Sequence, residues 1–374
     1  MNKKEITELK KMFAINNVNL TRISTCYVTH EKEKLFPRTN AFLSLPEEEM
    51  FKYLDIFRKC LSGTIGKNLF NIACDSKDSG HGDIERLRKS RLSNDDMTDA
   101  MFDAIIESYN HVENYLIVMI HGAYDVPGKG LDGQLMDDAS DYVYEYIMTC
   151  ICPVKLSDAA LSVDYKSEAV KDRERDWVVG APINGILYPA FNDRNEDVNN
   201  ALFFAKKPDE KQELFLETLL GSEYPLTQKE SKNWFAATVN AMANENCAFE
   251  VAKQINEELV GYAAELQEGE PAVIDKQNLE KIIKKCGFED DKVRFFNEFY
   301  DETVGCGKAV SISNITDTKS MTVECDNCKV KIDSEYADSL TTQMVDGRLC
   351  LVIPLNNNNV EVNGIPVKTG KLSD

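Results

Sequence analysis

The chain has 374 residues, of which 43 are Lys or Arg and 63 are Asp or Glu, giving a formal charge of −20. That length corresponds to two or three domains. A surface this negative repels nucleic-acid backbones and anionic lipid unless basic groups gather locally. The eleven cysteines are odd in number and lie mostly within apolar runs, which fits free thiols in a reducing compartment and not a disulfide framework.

No apolar stretch approaches the roughly 20 residues that span a bilayer. The charged start Met-Asn-Lys-Lys-Glu-Ile-Thr-Glu lacks the apolar centre of a signal peptide, so the expectation is a cytoplasmic protein. A short helix is predicted over Asn2–Phe13, broken by Asn16-Asn17, then strands over Leu20–Thr29 and Thr39–Leu43. Ser44 and Glu47 form an S-x-x-E capping box for a helix whose face is Met50, Leu54, Phe57 and Leu61, with Gly63 as its stop. Asn68–Cys74 reads as a strand and Asp75–Asp83 as a loop. Ser93 and Asp96 cap a helix with the stripe Met97, Met101, Ile105 and Val112. Tyr115–His121 is apolar without alternation, as in a strand covered on both faces. A long polar loop carrying Gly122, Pro127, Gly128, Gly130 and Gly133 is predicted next, then strands over Tyr142–Cys152 and Trp177–Pro189 and a short apolar segment, Ala201–Ala205.

From Pro208 to about Val304 the periodicity is helical. Thr227 and Glu230 make a capping box, Asp275 caps a later helix, and Gly287 and Gly305 are stops. After Gly305 short strands follow at Val310–Ile315, Met321–Cys325 and Val330–Ile332, then a hairpin around Asp346-Gly347. Polar turns are predicted at Asn356–Asn359 and Asn363-Gly364, on either side of Val360-Glu361-Val362. The class implied is α+β: a mixed sheet with helices in the N-terminal half, a helical middle segment and a small C-terminal β-rich segment. The corresponding domain division is 1–206, 207–304 and 305–374.

The chemistry-bearing motifs are incomplete. Gly63-Thr-Ile-Gly66-Lys67-Asn68 lacks the first Gly and the final Ser or Thr of a phosphate loop, and reads as a helix-ending turn. Cys325-Asp-Asn-Cys328 is a lone C-x-x-C in a turn between strands. Structural zinc takes about four ligands, and the four histidines (His30, His81, His111, His121) all lie far upstream, so no metal centre is expected. The loop after the buried strand holds His121, Asp125, Asp132, Asp137, Asp138 and Asp141, a set able to hold a divalent cation. Arg194 stands among carboxylates after an aromatic strand end, where a guanidinium can clamp an anion. Arg86-Leu-Arg88-Lys89-Ser-Arg91 is the main basic run, without the interleaved aromatics that stack bases.

Several segments are familiar as a set: Ser44–Lys59 with Leu61–Leu69, His121-Gly-Ala-Tyr-Asp-Val-Pro127, Ile151-Cys-Pro-Val154, and Val360–Val367. Spread over nearly the whole chain, they resemble a bacterial family defined as a domain of unknown function and found mainly in Gram-positive anaerobes. The resemblance implies a cytoplasmic bacterial protein and carries no site residue, cofactor or activity with it.

Three functions follow as expectations. The first is a non-catalytic protein-binding or regulatory factor, suggested by the lack of a complete catalytic constellation and by apolar helix faces such as Phe295, Phe296, Phe299 and Tyr300. The second is a metal-assisted hydrolase using the loop from His121 to Asp141. The third is an RNA- or ribosome-associated factor using Arg86–Arg91, disfavoured by the overall charge. Whether the chain is an enzyme, its cofactor and its oligomeric state stay open at this level.

Overall fold

A computed structural model describes residues 1–75, 79–129, 135–166, 168–266, 272–355, 360–362 and 364–367, with side chains for all of these except 16, 79, 129 and 135–141. The expected turns at Asn356–Asn359 and at Asn363 lie outside the described residues. One compact unit is Met1–Thr227, and a second runs from Gln228 through the C-terminal hairpins.

The first unit begins with α1 (Lys3–Met12), β1 (Leu20–Val28), β2 (Lys34–Ala41) and α2 (Glu47–Cys60). There follow β3 (Leu69–Ala73), α3 (Ser79–Ser90) and α4 (Asp95–Ser108). A long hairpin comes next, β4 (Tyr115–Lys129) and β5 (Leu135–Leu156), and then β6 (Leu161–Asp164), β7 (Ala169–Asp172) and β8 (Trp177–Val179). The unit ends with β9 (Asn184–Tyr188), β10 (Ala190–Asn192), β11 (Asn195–Asp197), β12 (Asn200–Ala205) and α5 (Glu213–Leu220).

Local chemistry explains the ends of several helices. The Asn2 carboxamide accepts from the Glu5 amide at 3.0 Å while the Glu5 carboxylate accepts from the Asn2 amide at 2.7 Å, a reciprocal cap on α1. For α4 the cap is Asn94, which accepts from Met97 N–H at 3.1 Å, and not Ser93 or Asp96 as expected. The Ser44–Glu47 box is also absent. Pro46 takes the cap position of α2 with no side-chain bond, and Ser44 Oγ turns back to donate to the Ala41 carbonyl.

Among the described residues the strands form an eight-stranded sheet in the order β2-β1-β4-β5-β9-β12-β3, with β8 on a further part of β5. Each strand pairing in it is antiparallel, so the mixed directions expected from sequence are corrected. Its central strand β4 is covered on both faces, as its unbroken apolar run predicts. Val118, Ile120 and Val126 face a core built with α1 and α2, while Tyr115, Ile117 and Met119 face a second core built with α3, α4 and α5.

On both sides of residues 130–134, which include Gly130 and Gly133 and lie outside the described residues, the polar loop expected after His121 is instead strand. β4 continues to Lys129, β5 begins at Leu135, and register holds from Tyr115↔Pro153 to Val126↔Tyr142 before irregularities at Pro127. Two facts reconcile the glycines and proline with a strand. A Cβ at Gly122 would fall on the Tyr146 ring, so only glycine fits there. β1 leaves β4 at Leu20↔Gly122, so Pro127, which has no N–H, sits where β4 has no β1 neighbour to bond. Aromatic rings then bind the extension together: Tyr144 stacks on Tyr146 at 5.2 Å and packs against Phe191 at 4.8 Å.

Other differences are smaller. The Asp75–Asp83 loop gives way to α3 from Ser79, β2 lies at Lys34–Ala41, and Trp177–Pro189 splits into β8 and β9 with a break at Gly180–Ile183. Val112 lies beyond α4 and is 85% exposed, so it does not belong to the buried stripe.

In the second unit α6 (Gln228–Met242) and α7 (Phe249–Glu265) precede β13 (Val273–Ile274), α8 (Lys276–Lys285), α9 (Asp290–Thr303), β14 (Val310–Ser311) and α10 (Ile312–Ile315). Asp275 caps α8 as predicted, accepting from Asn278 N–H at 2.8 Å. The strand expected at Val310–Ile315 is only β14, because residues 312–315 turn helical and bury Ile312 and Ile315. Trp234 of α6 meets Tyr300 of α9 edge-on at 5.5 Å. Three hairpins close the unit: β15 (Ser320–Cys325) with β16 (Cys328–Asp333), β17 (Thr341–Val345) with β18 (Arg348–Val352), and β19 (Val360–Val362) with β20 (Ile365–Val367). The turn between β17 and β18 has Asp346 at φ 51° and Gly347 at φ 75°, the left-handed pair that an Asp-Gly hairpin turn requires. The α+β class and the order of mixed, helical and β-rich segments hold.

Candidate functional site

Of the candidate ligands in the expected loop, only His121 and Asp125 have described side chains, and these two do not meet. Alternation along β4 puts His121 on the α3–α5 face with Ile117 and Met119, and puts Tyr124 on the opposite face with Val118 and Ile120. His121 is wholly buried. Its Nδ1 lies 2.8 Å from Thr21 Oγ1, and its Nε2 has no hydrogen-bond partner among the described residues. Burial pushes its pKa down to about 4; Glu145 opposes that fall, and Arg91, Arg88 and Arg22 reinforce it. Asp125 is exposed, four residues further along the same strand, which is about 13 Å at strand rise. Asp132 lies outside the described residues, as do the side chains of Asp137, Asp138 and Asp141. Among the described residues no group of three or more His, Cys, Asp or Glu side chains is placed to hold a metal ion.

Arg194 is already committed within the fold. Asp193 and Arg194, both at positive φ, form the tight turn from β10 to β11. The guanidinium reaches Glu8 of α1 at 3.0 Å through Nη2 and at 3.2 Å through Nε, and donates to the Pro127 carbonyl at 3.0 Å. Tyr124 donates to the same Glu8 carboxylate at 2.9 Å. The anion held by Arg194 is therefore Glu8, and the clamp ties α1 to the β4–β5 hairpin. These contacts lie on the Tyr124 side of the sheet, away from His121.

The basic run is likewise neutralised. Arg88 is buried, pairs with both carboxylate oxygens of Glu85 at 2.8 Å, and reaches Glu196 at 2.9 Å and the Glu145 carbonyl at 3.2 Å. Arg86 pairs with Asp83, Lys89 with Glu85 and Arg91 with Glu145. Each charge of the run thus faces a carboxylate, which leaves little excess positive potential for a phosphate backbone.

Half of the aromatic face noted in the helical segment is internal. Phe296 and Tyr300 are buried, while Phe295 and Phe299 stack on each other at 5.5 Å and are partly exposed. Cys325 and Cys328 flank the two-residue turn between β15 and β16, the position predicted for them. The Gly63–Asn68 segment is a turn between α2 and β3, with Gly66 at φ 82°.

A more unusual surface lies where sequence reading assigned no element. In the β6–β7 hairpin Val163 pairs with Val170 and Leu161 with Asp172, so Leu161, Val163, Val170 and Asp172 share one, mainly apolar face and Ser162, Asp164, Ala169 and Lys171 the other. The apolar face is the outer one: Leu161 is 75%, Val163 62% and Val170 64% exposed, while Ser162 and Asp164 are half-buried. On the polar face Lys171 pairs with Asp164 at 2.9 Å. Tyr165 at the turn is 89% exposed, and Trp177 at the start of β8 is exposed as well. Val179 at the end of β8 and Gly180 and Ala181 after it help line a cleft of about 430 Å3 against α2, whose other walls include Tyr53, Ile56, Lys52 and Lys59. The signal available in sequence was the four-residue alternation Leu-Ser-Val-Asp, too short to assign without its partner strand.

No helix among the described residues is long and apolar enough to cross a membrane. No curated protein matches the chain in sequence. A family profile does match, over residues 1–365, and the chain accordingly belongs to the family described as a domain of unknown function, DUF4317.

Proposed function

We propose that the protein is a non-catalytic binding factor of the bacterial cytoplasm, of the kind found in Gram-positive anaerobes, and that it docks an apolar surface of a partner protein through the β6–β7 hairpin and Trp177. The observation that carries this reading is the inverted polarity of the hairpin, with Leu161, Val163 and Val170 facing out and Ser162 and Asp164 turned in. An amphipathic strand pair normally does the reverse, because covering one such side chain contributes about 1.5–3 kcal/mol. A two-stranded hairpin is also marginal unless its face packs against something. Apolar exposure of this kind, rimmed by charge, is characteristic of interaction surfaces. The eleven free cysteines are consistent with a reducing interior.

The test is a photo-cross-linking residue at Tyr165 in cells. A discrete adduct with one protein, lost when Val163→Glu and Val170→Glu are added to a chain of unchanged melting temperature, is the expected result. Absence of any adduct from the position-165 probe, or an adduct indifferent to the two glutamates, sinks the reading.

A further inference from the structure

The second unit carries a pair of thiols that its own packing leaves unused. β15 and β16 are joined by Asp326-Asn327, and Cys325 and Cys328 are the last partners in register before the turn. Their sulfurs are 2.9 Å apart and both residues are exposed. The base of the same hairpin is anchored: Met321, Val323 and Ile332 pack with Ala337, Leu340, Phe249 and Leu351. The thiol pair therefore sits at the free end of a hairpin held at its other end.

The turn differs from its neighbour. Asp346-Gly347 adopts the left-handed pair favoured for two-residue hairpins, whereas neither Asp326 nor Asn327 has a positive φ. In a right-handed turn the N–H groups of the third and fourth residues point back at the side chain of the first, as in turns closed by Asp, Asn or Ser. Here the first side chain is Cys325. The backbone N–H groups of Asn327 and Cys328 both bond toward the Cys325 sulfur. Two sulfurs on one side of a surface turn, with backbone donors aimed at one of them, make a chelating pair suited to a soft cation, since thiolate sulfur is the ligand and N–H donors stabilise it.

Two sulfurs are only half of a tetrahedral thiolate centre, and no third His, Cys, Asp or Glu stands with them among the described residues. We propose that Cys325 and Cys328 form a half-site for a zinc-class divalent ion, completed by the same pair from a second copy of the chain. Four thiols from two copies give up four protons to the buffer and bind one ion, with no change of oxidation state. At a zinc–sulfur distance of about 2.3 Å a tetrahedral pair stands about 3.8 Å apart, so the two side chains need open by less than an ångström. A dyad supplies the missing ligands because each copy offers the identical exposed turn. Beside the thiols Lys329 pairs with Glu324 at 2.9 Å, and Asp326 in the turn between them adds a negative charge that favours a cation at the tip.

The experiment titrates zinc into the full, reduced chain against a chromophoric chelator while mass is followed by light scattering. The expected result is one zinc per two chains, a doubling of mass that reverses with chelator, and cobalt(II) absorption of a four-sulfur tetrahedral site. Cys325→Ser with Cys328→Ser removes all three, and Cys306→Ser, at another exposed thiol, removes none. One zinc per chain with no change of mass, a dimer indifferent to zinc, or uptake that survives in the double variant each overturns the proposal.

Discussion

His121 shows how burial decides the meaning of a titratable residue. At the end of an apolar strand, followed by glycines and aspartates, it reads as a ligand. In the fold it is enclosed, bonded to Thr21 and held neutral, with a pKa of about 4. The folded value lies below the unfolded value of 6.5, so the unfolded chain binds the proton first as pH falls. Its contribution is therefore fully present above pH 6.5 and is lost between about pH 6.5 and 4, by at most about 3 kcal/mol. Glu145 from β5, Arg88 and Arg91 from α3 or its end, and Arg22 from β1 are the charged groups that act on it. In urea unfolding at a series of pH values, His121→Gln should lose about one proton's worth of slope across that window. An unchanged slope would mean that the imidazole titrates normally in the native state.

At the scale of elements, glycines test the packing directly. A Cβ on Gly185 of β9 would lie 2.7 Å from Cys60 Sγ of α2 and 3.1 Å from the Thr149 carbonyl of β5, with backbone unable to yield. Gly185→Ala should destabilise by about 1–3 kcal/mol. Gly261 lies inside α7 with nothing within 4 Å of the place a methyl group would take, so Gly261→Ala should stabilise by up to about 1 kcal/mol. Urea midpoints moving in opposite directions would bear this out, and a tolerated Gly185→Ala would show that α2 can shift from the sheet. Elements whose signals are local were legible in advance: Asp275 before α8, the Asp-Gly hairpin turn, and the doubly covered run of β4. The extension of β4 and β5 past Gly122 was not, because the fit of Tyr146 over that glycine and the departure of β1 before Pro127 involve residues distant in the chain.

For the whole molecule, the first unit ends at Thr227 among the described residues, and every described residue of the two cores of its sheet precedes position 228. A chain of residues 1–227 should therefore unfold in one cooperative transition, followed by circular dichroism and calorimetry. A fragment that binds a dye for exposed apolar surface and melts without a transition would show that the sheet needs the rest of the polypeptide.

Sequence alone determined the class of the fold, because helical and strand periods are properties of neighbouring residues. It also determined that the recognisable catalytic motifs are incomplete. Tertiary structure alone decided which charges are spent and which apolar side chains are left uncovered. Arg88 meets Glu196 across 108 positions and Arg194 meets Glu8 across 186, so neither pairing can be read from local spacing. Val163 and Val170 are ordinary strand residues until the hairpin assigns them to its exposed face, and that assignment is a matter of register, where a shift of one residue reverses every side chain.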